Sequence, residues 1–231
     1  MENCLLDECY FLAGREVIYI KIDPFSELSL PLTREELSGN KIALIVIDMQ
    51  YNMTAEGEGV LKYAEELGVR DGYQYYYDRI QNIIIPNIQE LLKVFRKTEK
   101  MIVFTRIMAN YFTTEDNSYK DLNEEKGVIL EEIKPLEDEL VITKRDPDIF
   151  QGTGLDSHLR ENGIDTLILV GVLTNECVEA SVIRAVEEEY SVILIEDSTA
   201  AFSEEIHKKA LDLIQKKSVL ITSTQDILRL L

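Results

Sequence analysis

The apolar positions of this chain fall into short unbroken runs separated by stretches with helical spacing. "KIALIVID" (41–48), "MIVFTRI" (101–107), "ELVITK" (139–144), "DTLILVG" (165–171), "SVILIED" (191–197) and "SVLITS" (218–223) are the runs. Strands buried on both faces of a parallel sheet read this way, because no position along them meets water. Between them, Ile80, Ile84, Ile88, Leu91, Leu92 and Phe95 recur at the three- and four-residue spacing of one helix face. Pro86 is expected to kink or restart that helix within 73–100. "GTGLDSHLRENG" (152–163), "TNECVEASVIRAVEEEY" (174–190) and "SEEIHKKALDLIQKK" (203–217) read as further helices. Strands alternating with helices predict right-handed βαβ units and an α/β fold with a parallel sheet.

The remaining segments are less regular. "EVIYIKI" (16–22) reads as a short strand, and 23–40, with two prolines and turn residues, as a covering segment. Residues 1–40 are therefore expected to form an N-terminal extension packing on a single domain, 41–231. Residues 53–72 are Gly-rich and acidic and read as a long loop with a helical turn. Residues 108–127 read as a long polar loop of the kind that covers a site. Five tyrosines between 63 and 77 (Tyr63, Tyr73, Tyr75, Tyr76, Tyr77) suit packing or the lining of a pocket.

Charge narrows the partners. The 231 residues include 43 acidic and 24 basic side chains, a net charge of −19. Nucleic acids and anionic membranes both reward basic surfaces, so neither is an expected partner. No run approaches the roughly 18–20 apolar residues of a membrane span. Glu2, Asp7 and Glu8 stand where a signal peptide carries positive charge, so a cytoplasmic location is expected. Three cysteines, Cys4, Cys9 and Cys177, do not make a disulfide framework. With only His158 and His207, a Ser-His-Asp arrangement or a His-rich metal site is poorly supplied.

Three residues at strand ends carry chemistry instead. Asp48 closes "IALIVID", Lys144 closes "ELVITK", and Cys177 follows "DTLILVG" at the start of a helix. In a parallel sheet all three project at the carboxyl edge, where open α/β sheets bind ligands. A helix N-terminus and a nearby ammonium are expected to favour the thiolate of Cys177. A carboxylate can take the thiol proton and later hand it to a leaving amine, and backbone N–H groups can hold an oxyanion. Asp, Lys and Cys together can therefore perform acyl transfer without histidine.

"VIDMQ", "VITKRDPDIFQGTGLDSHLRENGIDTLILVGVLTNECVEASVIRAV" and "VILIEDSTAAF" resemble the isochorismatase-like (cysteine hydrolase) superfamily, over roughly residues 41–223. The resemblance implies a doubly wound sheet of about six parallel strands with helices on both faces. It implies that Asp48 is the base, Lys144 its charge partner and Cys177 the nucleophile. It also implies a non-proline cis peptide at Val172–Leu173, which would aim the N–H of Leu173, with that of Cys177, at the oxyanion. Nicotinamidase members carry a metal site after the second strand. "FTRIMANYFTTEDNSY" has no histidine there, so no metal and no other cofactor is expected, and nicotinamide is not the expected substrate. The family's usual "SAF" reads "DIF" at Asp148–Phe150. "IIIPNIQELLKVFR", the 53–72 insertion and "EIKPLEDELVITK" look closer to members that cut ureido groups, such as ureidoacrylate amidohydrolase and biuret hydrolase. The expected activity is metal-independent hydrolysis of a C–N bond in a small amide or ureido compound through a thioester. Vinyl-ether hydrolysis of an isochorismate-like compound and non-catalytic binding by a retained fold are the alternatives. Arg106 and Gln151 lie where they could contact a polar substrate, and the family's habit implies a homodimer or homotetramer.

Overall fold

A computed structural model describes residues 41–231, except 57, 67, 69, 109, 114–117 and 122–126. The strand expected at 16–22 and the extension 1–40 lie outside the described residues.

Six strands form one parallel sheet: β1 (Ile42–Ile47), β2 (Met101–Ile107), β5 (Leu140–Lys144), β6 (Thr166–Val172), β7 (Ser191–Ala200) and β8 (Leu220–Thr222). Their order is β5-β2-β1-β6-β7-β8. All five pairings are parallel. From β1 at the centre the chain winds outward through β2 to β5, then crosses to the other side of β1 for β6, β7 and β8. Connections leaving β1 and β6 therefore diverge, and a crevice opens at the carboxyl ends of these two neighbours.

The central strands are apolar throughout because both faces are covered. Leu44, Val46, Phe104, Ile168 and Val170 pack on one face against Tyr76, Ile80, Ile84, Ile88, Leu91 and Phe95 of the long helical stretch and against Ile227. Ala43, Ile45, Ile47, Leu167 and Leu169 pack on the other against Leu155, Leu159, Val178, Val182, Ala185 and Ile214. Alternate residues of one strand serve the two layers, as the period of two requires. Burying Leu or Ile side chains of this kind is worth about 1.5–3 kcal/mol each.

The helices are α1 (Tyr51–Thr54), α2 (Gly59–Glu66), α3 (Gln74–Arg79), α4 (Ile85–Lys97), α5 (Leu155–Glu161), α6 (Glu179–Glu187), α7 (Glu204–Gln215) and α8 (Thr224–Leu230). Pro86 stands where the helical stretch restarts, as one of the two expectations had it. A π-helical stretch, Ile80–Ile84, joins α3 to α4, with Pro86 in the first turn of α4. Proline has no N–H to donate, and a first helical turn has no use for one. The expected 53–72 loop is mostly helical, with α2 and a 3-10 turn at Arg70–Tyr73. The expected 108–127 loop contains an antiparallel hairpin, β3 (Asn110–Thr113) and β4 (Ser118–Asp121). Glycines and acidic or polar residues made both segments read as loops. Among the described residues no helix is long and apolar enough to cross a membrane.

Candidate active site

Asp48 follows the last residue of β1 with a positive φ of 53°, a conformation Asp adopts more readily than most residues. Its N–H donates to the Thr105 carbonyl of β2 at 3.1 Å. The carboxylate is fully buried and takes a bond from the Thr105 hydroxyl, Oγ1 to Oδ1, at 2.8 Å. Lys144 Nζ stands 2.7 Å from the other oxygen, Oδ2. That contact is close but oblique, since Oδ2 has no aligned hydrogen-bond donor. The ammonium also donates to the carbonyls of Asp146 at 3.0 Å and Pro147 at 3.1 Å. Two carbonyls take two of the lysine's three donors and fix the group, and its charge faces the one oxygen left under-bonded.

The three strand-end residues are not on adjacent strands. Lys144 ends β5, the sheet edge, with β2 between it and β1. Lys144 and Thr105 lie on the same face, and the lysine's four-carbon stem crosses β2 to reach Asp48.

Cys177 lies in a single π-helical turn, Thr174–Val178, that leads into α6. Short π turns of this kind recur at functional sites. The peptide bond Val172–Leu173 is cis. The Leu173 carbonyl accepts from the N–H groups of Glu176 at 3.0 Å and Val178 at 3.1 Å, which closes the turn over Cys177. Gly171 has a φ of 113°, and a Cβ there would lie 2.1 Å from the Ile47 carbonyl. Only glycine lets β6 approach β1 so closely at the point where the site forms.

The Cys177 thiol is buried, and the charges of Asp48 and Lys144 both act on it. Burial and the Asp48 charge outweigh Lys144, so the thiol is pushed up to about 12. The sequence-based expectation of a resting thiolate is corrected here. A helix start and one lysine cannot hold a negative sulfur beside a carboxylate in a dry pocket. The resting pair is thiol and carboxylate, which places a proton acceptor against the sulfur. Tyr76 stands near enough for Cys177, Asp48 and Glu176 to add to the burial that raises its phenol, and its hydroxyl donates to the Met53 carbonyl at 3.0 Å.

The two expected substrate contacts sit apart from this cluster. Arg106 follows Thr105 on β2, and the alternation of the strand turns it to the opposite face. Its Nε donates to Thr143 Oγ1 at 2.8 Å. Gln151 is exposed in the turn after Phe150. Asp148 is a turn former: its Oδ1 accepts from Phe150 N at 2.8 Å, and its own N–H donates to Asp146 Oδ1 at 3.0 Å.

Sequence reasoning missed several supports. Thr105 is a buried polar residue among apolar neighbours on its face of β2, and that exception was the available signal. Gln50, quoted within "VIDMQ" but given no role, is buried and bonds both ways with the Ile107 backbone, accepting at 2.7 Å and donating at 3.3 Å. It also donates to the Gly127 carbonyl at 3.2 Å, so it ties the first two strand ends to the following segment. His207 is buried with Nδ1 2.8 Å from the Thr174 hydroxyl and Nε2 3.1 Å from Arg79 Nη2. Arginine can only donate, so Nε2 accepts and Nδ1 carries the proton. Among the described residues, no group of three or more His, Cys, Asp or Glu side chains is placed to hold a metal ion.

Comparison with known proteins agrees with this layout. Residues 42–226 match the isochorismatase domain. The isochorismatase family protein YddQ of Bacillus subtilis is 30% identical over 169 residues, covering 72% of this chain and 82% of that protein. Ureidoacrylate amidohydrolase RutB of Agrobacterium fabrum is 35% identical over 91 residues, 39% of this chain and 37% of RutB. A solved isochorismatase-like hydrolase from Alkaliphilus metalliredigens superposes with a TM-score of 0.64 at 27% identity, over 82% of this chain and 98% of that one. The matched span takes in the whole parallel sheet and every strand end that builds the site, and the chain belongs to the isochorismatase family of hydrolases.

Proposed function

We propose that the protein is a metal-independent cysteine amidohydrolase that cleaves a C–N bond in a small amide or ureido compound. The observation that carries this reading is the fully buried Asp48–Lys144 pair, Nζ to Oδ2 2.7 Å, whose charges act on the buried Cys177 thiol. As sulfur attacks the substrate carbonyl carbon, its proton passes to the Asp48 carboxylate. The N–H groups of Leu173 and Cys177 receive the oxyanion. The tetrahedral species collapses, Asp48 gives its proton to the departing nitrogen, and ammonia or an amine leaves a thioester. Water then attacks the thioester carbonyl, losing a proton to Asp48. The acid departs, and sulfur recovers its proton. Lys144 keeps Asp48 in place and balances its charge through both half-reactions.

The partial match to RutB favours ureido compounds within this class. Vinyl-ether hydrolysis would give Cys177 no task, and a non-catalytic protein would have no use for a buried ion pair against a thiol. Arg106 and Gln151, outside the Asp48–Lys144–Cys177 cluster, stay proposals as substrate contacts, and a dimer or tetramer is the proposed assembly. The test is ammonia or amine release from a panel of amides, ureides and carbamoyl compounds. Turnover by the wild type and loss in Cys177→Ser is the expected result. Retention of most activity in Cys177→Ser would remove the assignment.

A further inference from the structure

The loop that follows Lys144 is bound to the helix that carries the nucleophile. Residues 145–151 begin by placing the Asp146 and Pro147 carbonyls on the Lys144 ammonium, at 3.0 and 3.1 Å. Asp148 then fixes the turn from both sides: its N–H reaches back to Asp146 Oδ1 at 3.0 Å, and its Oδ1 takes the Phe150 N–H at 2.8 Å. Its Oδ2 points toward α6, 4.0 Å from Arg184 Nε. That Nε is buried and has no hydrogen-bond partner. One residue on, the Ile149 N–H donates to Ser181 Oγ at 3.4 Å. The Ser181 hydroxyl in turn donates to the carbonyl of Cys177 itself at 2.5 Å. Ser181 is fully buried, so water cannot replace it.

We infer that Asp148 and Ser181 are positioning residues that lock the loop 145–151 onto the helix of Cys177 and so set where the Lys144 ammonium stands relative to the thiol. The argument is one of connectivity. Lys144 belongs to the edge strand and Cys177 to a turn beyond β6, and β2 and β1 lie between them. The loop supplies two of the three groups that hold the ammonium, and it is fastened to α6 at Ser181 and approached by Arg184 one turn on. Movement of the loop away from α6 would draw the Asp146 and Pro147 carbonyls, and the ammonium with them, away from the sulfur. Asp148 at this position therefore shapes the machinery through the turn it holds.

The inference rests on Cys177 as nucleophile, and its test needs no substrate. The rate of Cys177 alkylation by iodoacetamide is measured at pH 9 by peptide mapping, with thermal unfolding recorded beside it. The groups around the sulfur are Asp48 and Lys144, with Tyr76 and Glu176 further out. In Asp148→Ala the turn loses its acceptor, the ammonium recedes and alkylation slows about tenfold, the equivalent of one unit in the thiol. Asp148→Asn keeps the Oδ1 acceptor and restores the rate to within about twofold. Ser181→Ala serves as the second variant should Asp148→Ala not fold, and slows alkylation in the same direction. Where a substrate is in hand, kcat falls and KM holds. Wild-type alkylation in folded Asp148→Ala or Ser181→Ala, or loss in Asp148→Asn equal to that in Asp148→Ala, overturns the inference. Failure of the ammonia screen alone would remove the amidohydrolase reading and leave the positioning result standing.

Discussion

Lys144 reaches Asp48 from two strands away, its Nζ 2.7 Å from Oδ2 with both side chains wholly out of solvent. A buried ion pair of this kind is a poor source of net stability, but removal of one member is expensive because the other is left charged and dry.

Lys144→Met is therefore expected to cost about 3–5 kcal/mol of stability and to abolish turnover. Adding Asp48→Asn to Lys144→Met should recover much of the stability and none of the activity. Urea unfolding of the wild type, Lys144→Met and the double variant measures both effects. A double variant no more stable than Lys144→Met would contradict the expectation.

The thiol gives a pH signature. In the folded protein Cys177 keeps its proton up to about 12, against an ordinary 9.0. Between these values the unfolded chain releases a proton that the folded one holds. Stability from this group is thus complete below pH 9 and is lost as pH rises toward 12. Cys177→Ala should lose less stability than the wild type between pH 8 and pH 10.5 in denaturant titrations. The wild-type thiol should also react more slowly with iodoacetamide at pH 8 than a free cysteine, and an equal or faster rate would show a resting thiolate.

His207 produces the opposite slope on the acid side. Burial, with Arg79 beside it, pushes its imidazole from 6.5 down to about 4. Below pH 6.5 the unfolded chain takes up a proton that the folded one refuses. Stability falls from pH 6.5 toward 4. His207→Gln should flatten that fall, read from unfolding midpoints at pH 7, 5.5 and 4.5.

Gly171→Ala tests the contact between β6 and β1. The added Cβ meets backbone at 2.1 Å and demands a φ of 113° from an L residue. A loss of at least about 3 kcal/mol is expected, with activity lost at temperatures where the variant is still folded. Thermal unfolding and the ammonia assay together show whether the site or the whole fold yields first.

Apolar patterning carried the architecture because every central strand is buried on two faces and every covering helix on one. β2 runs over the residues its apolar run marks, 101–107, and β1 departs from its run only at the ends. Patterning missed α2 and the hairpin of β3 and β4, which lie in glycine-rich, acidic or polar stretches, and α8, which carried no expectation. Its helix is capped by Ser223, whose hydroxyl accepts from the Asp226 N–H, and its Thr224 is bonded to Asp197 at 2.8 Å. Residues far apart in the chain supply that anchor.

The sequence by itself determined a parallel α/β sheet and delivered Asp48, Lys144 and Cys177 to one edge of it, because strand direction alone sends the ends of parallel strands the same way. Strand order was decided by the tertiary structure, and with it the span that Lys144 crosses beneath β2. The protonation of Cys177 was decided there too. A charge balance depends on distance and on water, and neither is written in spacing along the chain. Helix start and lysine pointed to a thiolate; burial against Asp48 gives a thiol.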